Sequence, residues 1–207
     1  MPTFSVNYDA AYRNACESFK TIDPFVAAGN TDTVYESTDL RSGKFFVRYF
    51  NTDFVVQYPN AAMRELRSGS EPPLLTKILI LHYLIQAKGK QLIGEWVNFR
   101  QLPGGMMYQQ AFRAQIIEPI IRVFGYNLDA FLAAGEQAGG ERARLGDGSF
   151  LFRVFPRVPI LVTLWLGDDE LPPSADILFD AAIPYYLSIE DVDAIGRDLN
   201  ARLSVRS

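Results

Sequence analysis

The sequence predicts an α+β fold, with a mainly antiparallel sheet and about five helices packed around it. Strand patterns fall into two groups, one before residue 60 and one after residue 149, with a helical region between them. The turns between consecutive strands are short, which favours antiparallel pairing. The chain has 207 residues, of which 48% are hydrophobic. We therefore expect one globular domain over residues 1–207, with residues 88–95 as the point where it would divide.

The amino-terminal region is predicted to contain a broken helix followed by a meander. Helical periodicity extends over residues 8–28, where Asp23-Pro24 breaks the helix and Gly29 closes it. Turns at Ser42-Gly43 and at residues 51–53 separate the strands that follow, so an antiparallel meander is the simplest arrangement. The three predicted strands are residues 33–37, 45–50 and 54–58.

The middle of the chain is predicted to be helical. Pro72-Pro73 opens a helix that continues to about Ala87 and is apolar nearly all round, which is typical of a helix packed on more than one side. A second helical stripe begins after Gly105, and we expect Pro119 to kink or restart it before Gly125 ends it. The residues of this stripe are Phe112, Ile116, Ile120 and Val123.

The carboxy-terminal third combines a short helix, two strands and a final helix. Asn127 is expected to cap a helix over residues 128–134 that Gly135 closes, and residues 135–148 are the most loop-like and mobile segment. The two strands predicted next are residues 150–155 and 160–166. Ser188 then caps the final helix. The buried face of that helix consists of Ile189, Val192, Ile195, Leu199 and Leu203.

The charge and hydrophobicity of the chain argue against nucleic-acid and membrane partners. The formal net charge is −4 and the isoelectric point is about 5.1, and no run of Lys or Arg forms the basic patch that nucleic acids require. Residues 1–9 lack the basic and apolar regions of a signal peptide. The longest apolar stretch, residues 74–87, contains Lys77 and His82 and is too short to cross a bilayer. We therefore expect a cytoplasmic protein.

The single cysteine and the single histidine exclude several kinds of site. A disulfide within the chain, a structural Cys/His zinc site and a protein-ligated iron–sulfur cluster all need more ligands than Cys16 and His82 provide. A Ser-His-Asp or Cys-His arrangement would depend on His82, which lies on the apolar face of a predicted helix. We interpret His82 as a core histidine that is hydrogen-bonded to a neighbour, and Cys16 as a buried small hydrophobe.

The turn at residues 103–105, Pro-Gly-Gly, is the first candidate for a ligand site. Glycines allow the positive φ angles with which backbone N–H groups converge on an anion, and the following helix adds its positive dipole end. Two arginines and two aromatic rings would complete a seat for a phosphate or carboxylate. The predicted ligand-binding residues are Arg100, Gly104, Gly105, Tyr108, Arg113 and Trp165. The alternative is a turn that only reverses the chain, with Arg100 in a structural ion pair with Glu95, Asp168 or Asp180.

Carboxylates after the last predicted strand form a second candidate site. Carboxylates that converge from a strand end and a following segment hold Mg²⁺ or Ca²⁺ through their oxygens. The predicted metal ligands are Asp168, Asp169, Glu170 and Asp180. The alternative is a solvated hairpin turn, which the prolines at residues 172–173 favour. A third acidic group needs no function, because the dipole of the final helix stabilises negative charge in its first turn. That group is Glu190, Asp191 and Asp193.

An ordered set of motifs over roughly residues 10–203 is similar to a known family. The motifs begin with Trp-Val-Asn-Phe-Arg-Gln-Leu-Pro-Gly-Gly at residues 96–105, followed by Tyr108 and Phe112. They continue with Leu-Gly-Asp at 145–147, Phe-Pro-Arg-Val-Pro at 155–159, Leu-Trp-Leu-Gly-Asp-Asp-Glu at 164–170, Ile-Leu-Phe-Asp at 177–180 and Leu-Ser-Ile-Glu-Asp at 187–191. The set resembles a family of uncharacterised proteins from anaerobic bacteria and archaea that is classed as a domain of unknown function.

The resemblance implies a metabolic context and no reaction. In that family the domain occurs alone or joined to a cysteine-rich iron–sulfur domain. This implies anaerobic redox or corrinoid and iron–sulfur metabolism, with an iron–sulfur or corrinoid protein as partner. The resemblance names no cofactor, and the chain itself has one cysteine.

Three hypotheses for function follow from the sequence. The leading one is a small-molecule or cofactor-binding or accessory protein that holds an anionic ligand and is not itself an enzyme. The first alternative is an enzyme that uses the acidic residues and a divalent metal on an anionic substrate. The second alternative is a protein-interaction module, which predicts a large exposed apolar patch.

Overall fold

The structure, a computed structural model, describes residues 7–204. Residues 1–6, which belong to the segment considered above for a signal peptide, lie outside this range. The helices are α1 Tyr8–Phe19, α2 Pro24–Thr31, α3 Leu74–Gln86, α4 Gly105–Phe112, α5 Glu118–Phe124, α6 Leu128–Gln137 and α7 Ile189–Ser204. The strands are β1 Val34–Ser37, β2 Gly43–Tyr49, β3 Thr52–Tyr58, β4 Met63–Glu65, β5 Trp96–Asn98, β6 Glu141–Arg142, β7 Gly148–Phe155, β8 Val158–Trp165 and β9 Ser174–Asp180.

The predicted α+β class is confirmed, and the strands of residues 7–204 form two antiparallel sheets. The first has the order β1-β2-β3-β4, so the predicted meander is confirmed and extended by β4. The second has the order β5-β9-β8-β7-β6. Its strands β5, β6 and β9 are not among the sequence predictions, and β6 lies in the segment that was predicted to be a loop. Strands of two or three residues, such as β6 and β5, have too short a pattern to recognise.

Several predicted helix boundaries are confirmed by their capping groups. Asp23 accepts hydrogen bonds from the backbone N–H groups of Phe25 and Val26, so the chain restarts as α2 where the break was predicted. The side chain of Asn127 accepts from the Ala130 N–H at the start of α6. The helix α3 begins after Pro73 and is buried on most of its faces, as predicted.

Two glycines that were predicted to end helices lie inside them. Gly29 is within α2, which ends instead at Asp32 with a left-handed φ of 55°. Gly135 is buried within α6, which continues to Gln137. A Cβ on Gly135 would lie 2.2 Å from Cε2 of Phe150, so this glycine permits close packing of α6 on β7 and does not terminate the helix.

The predicted restart of the helix at Pro119 is confirmed, and a π-helical turn precedes it. Residues Arg113–Ile117 form a π-helical turn between α4 and α5, and Pro119 lies in the first turn of α5. A wide π turn accommodates a residue that cannot donate an N–H to the helix ladder. Three residues of the predicted stripe, Phe112, Ile116 and Ile120, are buried, whereas Val123 is exposed.

The two sheets share one cluster of buried side chains. The Phe50 N–H, just after β2, donates to the Val154 carbonyl oxygen of β7 at 2.8 Å. The Tyr83 ring of α3 stacks on Phe155 with 4.2 Å between ring centroids. Its hydroxyl donates to the Thr31 carbonyl oxygen at 2.7 Å, so Tyr83 connects α3 both to the second sheet and to α2. None of the helices in residues 7–204 has the length and the apolar character that crossing a lipid bilayer requires.

Candidate functional site

Arg100 lies in a short 3₁₀ turn, Phe99–Gln101, between β5 and α4. A reciprocal capping box fixes this turn: the Asn98 N–H donates to the Gln101 side-chain oxygen at 2.9 Å, and the Gln101 N–H donates to the Asn98 side-chain oxygen at 3.3 Å. Phe99 is buried and Arg100 is exposed. The turn therefore anchors its apolar residue in the core and directs the arginine to the surface.

The two glycines of the predicted anion seat have different structural roles. Gly104 has a left-handed φ of 81° immediately before α4. Gly105 is buried, and a Cβ there would lie 1.8 Å from the carbonyl oxygen of Phe99. The Gly105 N–H donates to the Leu102 carbonyl oxygen at 2.8 Å, so this donor is engaged within the turn. The Gly105 N–H is therefore not available to a bound anion.

Arg100 and Arg113 line the same shallow pocket, of about 80 Å³. We call it the arginine basin; its polar lining is Asn98, Arg100, Gln109, Arg113 and Asp176. The floor is formed by Phe99 and Phe112, whose rings stack at 4.0 Å between centroids. Arg113 pairs with Glu118 at 2.9 Å. Within residues 7–204 the Arg100 guanidinium has no ion-pair or hydrogen-bond partner.

Asp176 of β9 contributes the negative charge of the arginine basin. Burial raises the pKa of its carboxyl group above the usual value, and the nearby Arg113 opposes this shift. Asp176 was not predicted from the sequence, because it is distant from Arg113 in the chain and the two meet only through the packing of β9 beside the helical region.

The remaining predicted ligand-binding residues lie at different places. Tyr108 of α4 is partly buried and packs against the hydrophobic core. Trp165 is exposed at the end of β8, where it pairs with Ser174 of β9. Gly104 lies next to the side chain of Ile189, at the start of α7. The structure therefore brings Arg100 and Arg113 together in the basin, and it places Trp165 outside the basin's lining.

Asp168 organises the turn between β8 and β9. Its Oδ1 accepts hydrogen bonds from the Leu171 N–H at 2.7 Å and the Glu170 N–H at 2.8 Å. These two bonds hold the pKa of the carboxyl group below its usual value, and the bond from Leu171 has the larger effect. Asp169 and Glu170 are exposed in the same turn. This arrangement agrees with the solvated turn that was the alternative to a metal site.

Asp180 lies at the opposite end of β9 from that turn. Ser174, at the end of β9 that borders the turn, is six positions before Asp180 in the strand. At the rise per residue of a β-strand this is a distance of about 20 Å. Its buried carboxylate accepts from the N–H groups of Ile93 at 3.0 Å, Gly94 at 2.7 Å and Ala182 at 2.9 Å. In the part of the chain that is described, no group of three or more His, Cys, Asp or Glu residues is arranged to hold a metal ion.

The interpretation of His82 as a histidine that is hydrogen-bonded to a neighbour is confirmed. Its Nδ1 lies 2.6 Å from Oδ1 of Asp191, and the imidazole keeps 25% of its side-chain surface exposed. The other oxygen of Asp191 accepts from the Ser188 hydroxyl at 2.8 Å. Because the serine bonds to the carboxylate and not to the imidazole, the three residues do not form a nucleophilic triad. The Ser-x-x-Asp spacing was a recognisable capping signal for Asp191.

Comparison with known proteins establishes the family of the chain. The α+β fold and the arginine basin do not by themselves define a functional class. The chain belongs to the family described as a domain of unknown function, DUF3786, whose profile matches residues 23–201. The resemblance to a family of unknown function is thereby confirmed. Comparison with curated proteins and with solved structures gave no match.

Proposed function

We propose that the chain is a binding protein that holds the anionic group of a small molecule in the arginine basin, with Arg100 as the principal contact. The observation that carries the proposal is a guanidinium without a carboxylate partner in residues 7–204, at a pocket that a second arginine also lines. A guanidinium presents a planar set of donors that matches a phosphate or carboxylate.

The charges around the basin support this assignment of roles. Arg113 is engaged with Glu118 and lies near Asp176, so much of its charge is already compensated. In residues 7–204 no carboxylate compensates the charge of Arg100, so its guanidinium donors are available to a ligand. The side-chain amides of Asn98 and Gln109 border the same pocket. A hydrogen bond to a charged group contributes about 1.5–3 kcal/mol, which corresponds to roughly ten- to hundredfold in affinity.

The proposal is tested by isothermal titration of the purified chain with inorganic phosphate and with citrate. We expect Arg100→Gln to weaken binding about tenfold or more, and Arg113→Gln to weaken it less. Arg122→Gln is the matched control, since Arg122 is also exposed and without an ion pair in residues 7–204. All three variants should keep the wild-type melting temperature within a few degrees, because the side chains lie at the surface.

Two results would overturn the proposal. One is equal affinity of wild type, Arg100→Gln and Arg122→Gln for both anions. The other is a large drop in the melting temperature of Arg100→Gln, which would mean that the guanidinium supports the fold. Native mass spectrometry of protein purified without oxygen then identifies a retained ligand. An iron–sulfur or corrinoid partner remains a prediction from the sequence resemblance, and the same spectra test it.

A second candidate, the protein-interaction module, is favoured by an apolar cleft beside α4. The cleft, of about 170 Å³, lies between Leu102-Pro103 and residues 183–192, and its lining is mostly apolar. Met106 and Met107 at the start of α4 are both about two-thirds exposed, at 69% and 67%. A partner chain retained in the native spectra, and lost in Met106→Lys, would support this function. A small molecule lost in Arg100→Gln would support the leading one.

The metal-dependent enzyme remains a prediction from the sequence. It requires two or more of the four acidic residues to share one ion, with oxygen–ion distances of about 2.0–2.6 Å. Titration of the chain with Mg²⁺, Mn²⁺ and Ca²⁺ tests it, and the absence of binding at millimolar metal would remove it.

A further inference from the structure

A second cleft, of about 580 Å³, lies on the first sheet, away from the arginine basin. One wall is the corner between α1 and α2, and the other is the loop between β1 and β2. We call it the aromatic cleft; the lining residues that matter are Lys20, Phe25, Tyr35, Leu40, Arg41 and Tyr58. None of them belongs to the arginine basin. The volume of the aromatic cleft falls within the range of roughly 300–1,000 Å³ that small-molecule sites occupy.

Aromatic rings give the cleft a fixed apolar surface. Tyr35 packs edge-on against Phe25 with 5.1 Å between ring centroids, and against Tyr58 at 6.2 Å. The Tyr35 ring also lies over Gly43, where a Cβ would be 2.4 Å from the ring carbon Cζ. Phe25 nevertheless remains 66% exposed, so a large part of its ring has no contact in the described chain. An exposed ring that packs edge-on against a second ring is suited to stacking a further planar ring.

Hydrogen bonds hold both walls of the cleft. In the loop, Asp39 accepts from the Arg41 N–H at 2.8 Å and from the Ser42 hydroxyl at 2.5 Å, and the Thr38 N–H donates to the Ser42 carbonyl oxygen at 2.9 Å. At the corner, the Tyr58 hydroxyl donates to the Ile22 carbonyl oxygen at 3.0 Å. The cleft is therefore shaped before any ligand arrives, which lowers the entropic cost of binding.

One arginine of the cleft is available to an anionic substituent. Its two carboxylates are engaged locally, Asp39 within the loop and Asp23 as the cap of α2. Lys20 pairs with the exposed Glu17. Within residues 7–204 the Arg41 guanidinium has no ion-pair or hydrogen-bond partner. The group with which an anionic substituent can pair is thus the Arg41 guanidinium, at the rim beside the exposed Leu40.

We propose that the aromatic cleft binds a small molecule with a planar aromatic ring and an anionic group, the ring stacking on Phe25 and the anionic group contacting Arg41. This site is distinct from the arginine basin, and its occupation does not depend on the function proposed above.

Two fluorescent probes separate the ring contact from the charge contact. The probes are 8-anilinonaphthalene-1-sulfonate, a planar aromatic anion, and N-phenyl-1-naphthylamine, the same ring system without the sulfonate. We expect Phe25→Ala to weaken both probes about tenfold, since a stacking contact changes affinity by this order. Arg41→Gln should weaken the sulfonate about tenfold and leave the neutral probe unchanged.

Matched variants keep the test decisive. Tyr126→Ala removes an exposed aromatic ring outside the cleft, and Arg122→Gln removes an exposed arginine that has no ion pair in residues 7–204; neither should change the affinity of either probe. Arg100→Gln should also leave both unchanged, which separates this site from the arginine basin. The proposal is overturned if wild type shows no saturable binding of the sulfonate, or if Phe25→Ala and Arg41→Gln titrate as wild type does. Thermal melts confirm that each variant is folded.

Discussion

Three carboxylates of the second half of the chain, Asp180, Asp191 and Asp193, are almost completely buried, and each has a different environment. Asp180 is bonded by backbone N–H groups, and Asp191 is bonded by His82 and Ser188. Asp193 has the poorest set of partners. Arg197 lies 2.7 Å from its Oδ2, but this oxygen accepts no hydrogen bond within the described residues. Burial raises the pKa of Asp193, and Arg197 opposes the shift.

Asp193→Asn should therefore raise the melting temperature at pH 7. A carboxyl group whose pKa is raised by folding contributes its full stability below the unfolded pKa, and loses it as the pH rises through the folded value. The unfolded value is about 3.8, so the advantage of the variant should vanish near pH 3.5. A gain of about 1 kcal/mol corresponds to roughly 2–4 °C for a chain of this size. Circular-dichroism melts at both pH values measure it.

The control for this prediction is Asp129→Asn, which removes an exposed aspartate from the first turn of α6. We expect it to lower the melting temperature slightly, because it removes a favourable interaction with the helix dipole. The difference in melting temperature between Asp193→Asn and wild type is compared at the two pH values. A difference that is smaller at pH 7 than at pH 3.5 would contradict the prediction.

At the scale of elements, Asp180 fixes the segment that connects α3 to β5. Its carboxylate holds the N–H groups of Ile93 and Gly94, and the Ala181 N–H donates to the Glu95 carbonyl oxygen at 2.9 Å. This segment contains residues 88–95, where the sequence suggested that the chain would divide. A carboxylate accepts at both oxygens, whereas an asparagine would turn an NH₂ group toward one of these donors.

Asp180→Asn should accordingly lower the stability by about 3 kcal/mol, which corresponds to roughly 6–12 °C in melting temperature. Thermal melts measure the loss, and amide hydrogen exchange should become faster at Ile93 and Gly94. Asp169→Asn, at an exposed position of the β8–β9 turn, is the control and should melt as wild type does. Equal melting of the two variants would show that the carboxylate is not needed to hold the segment.

The two glycines inside helices provide a matched pair of substitutions. Gly135→Ala places a methyl group against the Phe150 ring and should cost about 1–3 kcal/mol through overpacking. Gly29→Ala meets no atom within 4 Å, so it should stabilise α2 by roughly 0.5–1 kcal/mol. Urea denaturation of both variants measures the two free energies of unfolding. Stabilisation by both substitutions would contradict the packing role assigned to Gly135.

The local signals in the sequence predicted most element boundaries. Pro24, Pro73, Asn127 and Gly125 act through backbone chemistry within one or two turns, so their effect can be read from neighbouring residues. The role of Gly135 was not readable in this way, because the ring that requires it belongs to β7. A glycine that ends a helix and a glycine that allows a neighbouring side chain to pack closely on the helix have the same sequence pattern.

At the scale of the whole molecule, the candidate site was predictable only in part. Arg100 and Arg113 are close in the chain, and both line one pocket. Asp176 in that pocket comes from β9, whose pairing with β5 and β8 has no local signal. The aromatic cleft likewise combines the α1–α2 corner with the β1–β2 loop. Contacts between segments that are distant in the chain depend on tertiary packing, which local periodicity does not encode.

The bond between Phe50 and Val154 also bears on aggregation. A strand at the edge of a sheet is a template for pairing with another chain unless something covers it. The outer side of β7 is covered by the two-residue strand β6, which pairs with Phe150 and Leu151, and by Phe50 from the first sheet, which bonds to Val154. If the first sheet opened while the second stayed folded, the apolar end of β7 would become available to β-strands of other copies. The first sheet thus protects the second from intermolecular β-pairing.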